Sequence, residues 1–298
     1  MNLPPKLNIN DEGILIAPAR KVELESLILA ENLLLKWGLK PLRSKNILAE
    51  AGVFAGNKEE RVLDLQWAIN HSTAKAIWCF RGGYGSIQLL EGLNPAPFLQ
   101  NPKWIIGFSD ITNIHCFSNI ILNTASIHAT MPINIGLNTS QSLESLKRFL
   151  FKKEINYKIN SYSKNIHGEV KGAVIGGNLS VLCANLGTNY QPDFENKILF
   201  IEDIDEYLYK IDRMLWQLKF AGVFHQIKGL IVGHFNNTKD NSTVFGMDVE
   251  EIVLQKINEF NFPVVFNFPS GHEKENLTLP LGLPLNLKVN SRSTLLQS

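Results

Sequence analysis

Through the first half of the chain, short apolar runs alternate with longer segments whose apolar residues recur at helical spacing. Residues 13–17 form an apolar run closed by Pro18, and residues 22–37 then carry apolar side chains at helical intervals up to Gly38. A run too short for a helix, followed by an amphipathic period, reads as a strand and then a helix. The unit recurs. Residues 59–70 place Val62, Leu65 and Ile69 on one helical face, 74–80 form a buried strand, and 86–93 a short helix. The apolar run 104–108 then leads into a helical stretch over 111–122. This alternation predicts an α/β fold, a parallel sheet wrapped by helices.

The rhythm breaks at FKKEINYKINSYSKNIH, residues 151–167, where lysine and asparagine dominate and no apolar face is kept. A chain of 298 residues is long enough for two ordinary domains. We therefore expect an N-terminal domain over 1–150, a connection over 151–170 and a C-terminal domain over 171–298. The second domain reads as mixed α/β: apolar strands at 197–201, 229–235 and 262–268, helices at 209–222 and 249–260, and extended segments joined at a glycine turn in LTLPLGLPLNLKV.

Several function classes are disfavoured at once. Lysine plus arginine (29) nearly balances aspartate plus glutamate (28), so no basic field invites nucleic acid or anionic lipid. Cys79, Cys116 and Cys183 are odd in number and far apart, which suggests buried thiols in a reducing compartment. No apolar stretch reaches the ~20 residues that span a bilayer. The opening MNLPPKLNINDEGILIAPAR carries no signal-peptide pattern. A cytoplasmic protein is expected.

The sharpest local signal is WIIGFSDIT, residues 104–112, where a buried strand runs into a Gly-x-Ser turn and then a helix. A serine at such an elbow is held clear of the sheet near the positive end of the helix dipole, which suits a nucleophile. The plainer reading is that Ser109 caps a helix. The second glycine of an α/β-hydrolase elbow is replaced by Ile111, so that fold is not implied. Directly after another strand comes Arg81-Gly82-Gly83-Tyr84-Gly85, whose glycines free backbone N–H groups to face a bound oxygen. The loop matches neither G-x-G-x-x-G nor a Walker A motif, so nucleotide binding is disfavoured, and a tight turn is the simpler alternative.

A serine nucleophile needs a base, and the base an orienting carboxylate. Of the seven histidines, His128 and His234 end apolar strands and read as readily as core residues. His272 lies in Pro269-Ser270-Gly271-His272-Glu273, a loop just after a strand, where functional side chains are displayed. The same logic selects Glu202 at the end of ILFIED. No paired His/Asp or H-E-x-x-H spacing points to a metal.

Taken together, these blocks resemble the LD-carboxypeptidases of bacterial cell-wall recycling and their relatives that give immunity to microcin C-type antibiotics. The resemblance rests on IAPAR at Ile16, FAGNKEERVLDLQWAI at Phe54, AIWCFRGGYGS at Ala76, GFSDIT at Gly107, GGNLSVL at Gly176, ILFIEDIDEYLYKIDRMLWQL at Ile198 and GHEKENLTLPLG at Gly271. The long block through Tyr209 and Met214 is closer to the carboxypeptidase branch. Where the family has Gly-Pro-Met after His128, this chain has Ala129-Thr130-Met131.

The resemblance implies a catalytic triad of Ser109, Glu202 and His272. It also implies an N-terminal doubly wound, flavodoxin-like or glutamine-amidotransferase-like domain carrying the nucleophile, a swivelling-type C-terminal domain carrying the other two residues, and a homodimer. On this expectation His272 takes the Ser109 proton, Glu202 steadies the imidazole, and the Asp110 and Gly83 amides form the oxyanion hole. No metal or cofactor is required. The expected substrate is a murein tetrapeptide ending in D-alanine. The alternatives are an immunity-type peptidase acting on peptidyl nucleotides and a non-catalytic binding protein on the same scaffold.

Overall fold

A computed structural model describes residues 1–298. The first half comprises β1 (Glu12–Ile16), α1 (Leu24–Lys36), β2 (Lys40–Arg43), α2 (Lys58–Asn70), β3 (Ala76–Cys79), α3 (Ala96–Gln100), β4 (Trp104–Gly107), α4 (Thr112–Ile120), β5 (Ser126–His128) and α5 (Ser140–Lys152). The second half comprises β6 (Asn156–Asn160), β7 (Gly168–Asn178), α6 (Leu179–Asn185), β8 (Ile198–Ile204), α7 (Leu208–Phe220), α8 (Val223–Gln226), β9 (Gly229–Asn236), α9 (Val249–Ile257), β10 (Val264–Val265), β11 (Leu279–Leu281), β12 (Pro284–Val289) and β13 (Ser293–Gln297).

The first sheet has the order β2-β1-β3-β4-β5-β11, parallel except for β11. Parallel strands must be covered on both faces, and the side-chain alternation achieves this. Leu15, Trp78, Trp104 and Ile106 pack with Leu27 and Leu34 of α1 and Phe149 of α5. Ile14, Ile77 and Ile105 pack with Leu65 and Ile69 of α2 and Ile114 of α4. Each such side chain, fully buried, contributes about 1.5–3 kcal/mol.

The second sheet has the order β10-β9-β8-β7-β12-β13-β6. Strands β7 to β10 run parallel, and β12, β13 and β6 continue as an antiparallel meander. The architecture is therefore mixed α/β in two parts. They are not independent. Strand β11 returns to the first sheet, pairing Leu279 with His128, and one apolar cluster runs from Trp78 through Leu279 and Leu281 to Phe200 and Phe268.

Local details differ from the sequence reading. The 151–170 stretch holds β6, an edge strand that half-buries Tyr157 and Ile159 while Asn156, Lys158 and Asn160 face out. Its period of two was masked by the lysine and asparagine of the solvated face. Ser86–Gly92 is a 3-10 turn rather than an α-helix. The strand expected over 262–268 pairs only at Val264 and Val265, between two prolines, Pro263 and Pro269, that have no amide to donate. No helix is long and apolar enough to cross a membrane.

Candidate active site

The site forms where β4, β8 and the loop between β10 and β11 end beside one another. At the end of β4 the backbone turns sharply, and Ser109 adopts φ 63°. The left-handed region costs a residue with a side chain about 1–2 kcal/mol, so the surrounding contacts must enforce it. They do so through Asp110. Its buried carboxylate accepts from the Ser86 amide at 3.0 Å, its carbonyl accepts from the Ser86 hydroxyl at 2.6 Å, and Asn113 Nδ2 donates to the same carbonyl at 3.1 Å. Burial, working against these hydrogen bonds and the charge of Arg61, raises the Asp110 pKa. Neither the 3-10 turn Ser109–Ile111 nor α4 uses a side-chain cap, so the Ser109 hydroxyl is not consumed in capping.

The glycine loop after β3 packs directly on this elbow. A Cβ added to Gly82 would lie 3.2 Å from both Ser109 Cβ and the Asp110 amide nitrogen. Gly83, at φ 105°, lies one residue further on, where a Cβ would meet the side chain of Arg20 at 2.6 Å. Gly82 was not singled out in the sequence. Only the approach of two loops shows that it packs on the serine.

Glu202 leaves β8 fully buried, and His272 Nδ1 donates to its Oε2 at 2.6 Å. Gly271 makes that approach possible. It has φ 130°, and a Cβ there would press on Glu202 Oε2 at 3.1 Å. Burial lowers the His272 pKa, but the charge of Glu202, the hydrogen bond to it and the charges of Asp203 and Asp205 together outweigh burial, and the net shift is upward. With Nδ1–H committed to Glu202, Nε2 is left as an acceptor. Phe108, the residue before Ser109, packs edge-on against the His272 ring with centroids 4.9 Å apart. Ser109 and His272 are thus brought to one place by adjacent residues, although no hydrogen bond joins them here.

Buried polar links hold the pieces together. Thr112, on the helix after Ser109, accepts from the Asn178 amide at 3.0 Å; Asn178 Nδ2 donates to Asp203 at 2.8 Å, beside Glu202. Burial first and the Glu202 charge second push the Asp203 carboxyl up to about 7. Asn185 Nδ2 donates to Asn113 at 2.8 Å, giving a second tie across the halves. On the other side, the Asn276 amide donates to Ser142 Oγ of α5 at 2.8 Å while Asn276 Oδ1 accepts from the Gly271 amide at 3.0 Å.

The remaining histidines are placed differently. His128 is buried between Phe108 and Phe200 with both ring nitrogens unpaired, and its pKa lies well below the ordinary value through burial. His115 bonds the Gly107 carbonyl at 2.9 Å, and burial lowers it to about 4. His234 sits one strand away from Glu202, on β9. No group of three His, Cys, Asp or Glu side chains is arranged to hold a metal ion.

Comparison with known proteins gives a consistent picture. Residues 14–129 match the model of the LD-carboxypeptidase N-terminal domain, and residues 171–287 that of the LD-carboxypeptidase C-terminal domain. A "Murein tetrapeptide carboxypeptidase" of Pseudomonas aeruginosa is 30% identical over 95% of this chain and 94% of its own length. A "Probable murein peptide carboxypeptidase" of Bacillus subtilis is 30% identical over 100% of this chain and 95% of its own. The crystal structure of muramoyltetrapeptide carboxypeptidase from Oxalobacter formigenes superposes with a TM-score of 0.88 at 29% identity, covering 96% of this chain and 98% of that one. The microcin C7 self immunity protein MccF shares the fold, with a TM-score of 0.89 at 22% identity over 100% of this chain and 99% of its own.

Proposed function

Because the chain belongs to the LD-carboxypeptidase family, we propose that it is a serine-type LD-carboxypeptidase that removes the terminal D-alanine from murein tetrapeptides in the cytoplasm, as a homodimer. The observation that carries this reading is the 2.6 Å His272–Glu202 pair set against a serine in left-handed conformation at the end of β4. In the proposed mechanism the strand order β2-β1-β3-β4-β5 acts as a flavodoxin-like scaffold for the nucleophile, and the second half as a swivelling-type carrier of base and acid.

Ser109 Oγ attacks the carbonyl carbon of the penultimate residue while its proton passes to His272 Nε2. Glu202 holds the ring through Nδ1–H and stabilises the imidazolium. The negative charge on the carbonyl oxygen is met by the Asp110 amide and an amide of the glycine loop, with Gly83 as the expected donor, at about 3 kcal/mol for each. Collapse of the tetrahedral intermediate breaks the C–N bond, and His272 returns the proton to the departing amine of D-alanine. Water, deprotonated by the same histidine, then attacks the acyl-enzyme and restores the serine hydroxyl. The residues supply nucleophile, base and oxyanion donors without a metal or organic cofactor.

Mass spectrometry of purified protein incubated with a muropeptide mixture tests the proposal. Loss of D-alanine from tetrapeptides, with tripeptides and pentapeptides untouched, is the expected result. Cleavage of an aminoacyl sulfamoyl nucleoside with no action on tetrapeptides would replace it with the immunity-type reading, and binding without turnover would replace it with the non-catalytic one.

A further inference from the structure

A carboxypeptidase must recognise that its substrate ends, and the group that marks the end is a free carboxylate one residue beyond the scissile bond. Two arginines flank the glycine loop that packs on the elbow: Arg81 opens the loop, and Arg20 lies against it. The Arg20 side chain lies across the exposed face of Gly83, where an added Cβ would fall 2.6 Å from Arg20 Cδ and Nε. A Cβ added at the neighbouring Gly82 would fall 3.2 Å from Ser109 Cβ and from the Asp110 amide nitrogen. Gly82 and Gly83 are consecutive, so Ser109 and the Arg20 side chain pack against the same dipeptide of the glycine loop.

The root of Arg20 is fixed. The Lys21 amide donates to the Val53 carbonyl at 3.1 Å and the Ala55 amide to the Ala19 carbonyl at 3.0 Å, which clamps the segment on either side of Arg20. Its guanidinium is exposed and enters no ion pair or side-chain hydrogen bond. Arg81, at the start of the glycine loop, is half-buried and spends one nitrogen on the Lys21 carbonyl at 3.2 Å. The two arginines repel: burial lowers the Arg81 pKa first and the Arg20 charge second, against only the Glu23 carboxylate. Lys21, between them in the chain, is already neutralised by Glu50 at 2.8 Å. Two like charges against the glycine loop, neither held in an ion pair, form a subsite that is incomplete without an anion.

We infer that Arg20, supported by Arg81, binds the free α-carboxylate of the leaving residue and so confers exopeptidase specificity. The inference rests on the serine carboxypeptidase reading, and binding can test it separately from turnover. A planar guanidinium fork matches a carboxylate, whereas a lysine at the same place offers charge without the fork.

The probes are lysine- and diaminopimelate-containing tetrapeptides ending in D-alanine, each as the free acid and as the C-terminal amide. Affinities are measured by calorimetry on Ser109→Ala protein, with and without Arg20→Ala or Arg20→Lys. The free acid is expected to bind roughly 10- to 100-fold tighter than the amide, the range of a charge-assisted hydrogen bond. Arg20→Ala should remove most of that preference by weakening the acid alone, and Arg20→Lys should retain part of it. Equal affinity for acid and amide, binding of neither, or a preference unchanged by Arg20→Ala overturns the inference. Failure of the wild type to release D-alanine while the preference persists would overturn the serine reading instead.

Discussion

At the scale of single residues, the proposed chemistry turns on a histidine whose basicity Glu202 does most to raise. A general base works when neutral, so with His272 in the proposed role activity falls as pH drops through its pKa. The Glu202 charge holds that pKa above the ordinary 6.5 despite burial, which places the acid limb of kcat/KM above pH 6.5. Glu202→Gln removes the largest raising influences and leaves burial opposed only by the Asp203 and Asp205 charges, so the pKa falls. The acid limb should then move to lower pH while the plateau rate falls, because the ring also loses its orienting charge. A limb that stays in place in this variant would show that another group titrates. Ser109 and His272 were readable from sequence as candidates because each follows a strand in a short turn. Gly82, Thr112 and Asn178 were not, because their contacts exist only where segments distant in the chain meet.

At the scale of elements, the histidine loop belongs to the second half of the chain but is fastened to the first. Asn138 Nδ2 donates to the Glu273 and Lys274 carbonyls, the Thr139 amide donates to the Lys274 carbonyl at 2.8 Å, and Ser142 Oγ receives the buried Asn276 amide. Helix α5 thus acts as a clamp for His272. Ser142→Ala strands the Asn276 N–H and should cost about 1–3 kcal/mol in denaturant unfolding. It should also lower kcat more than it raises KM, because the loop that presents the base is loosened. An unchanged kcat at reduced stability would separate the clamp from catalysis. The strands β1, β3, β4 and β8 were legible as unbroken apolar runs, which is what burial on both faces demands. Strand β6 was hidden by its polar face. The return of β11 to the first sheet was hidden because LTLPLGLPL reads the same whether its two extended pieces share a sheet or not: Gly282, at φ 91°, sends them to different ones.

At the scale of the whole molecule, the candidate triad is split between the halves, with Ser109 on the first and Glu202 and His272 on the second. Its geometry therefore depends on the shared core and on the Thr112–Asn178 and Asn113–Asn185 ties. The proposed homodimer predicts a particle of about twice the 33.5 kDa chain mass in light scattering at micromolar concentration, and a single 33.5 kDa species would contradict it. If Ser109, Glu202 and His272 act as one unit, their substitutions are not additive: Ser109→Ala and His272→Ala should each reduce turnover by several orders of magnitude, and the double variant should be little worse than either. The most direct measurement is D-alanine release from tetrapeptide by folded Ser109→Ala protein. The account predicts a rate at least roughly a thousandfold below wild type, and release at close to the wild-type rate would contradict it.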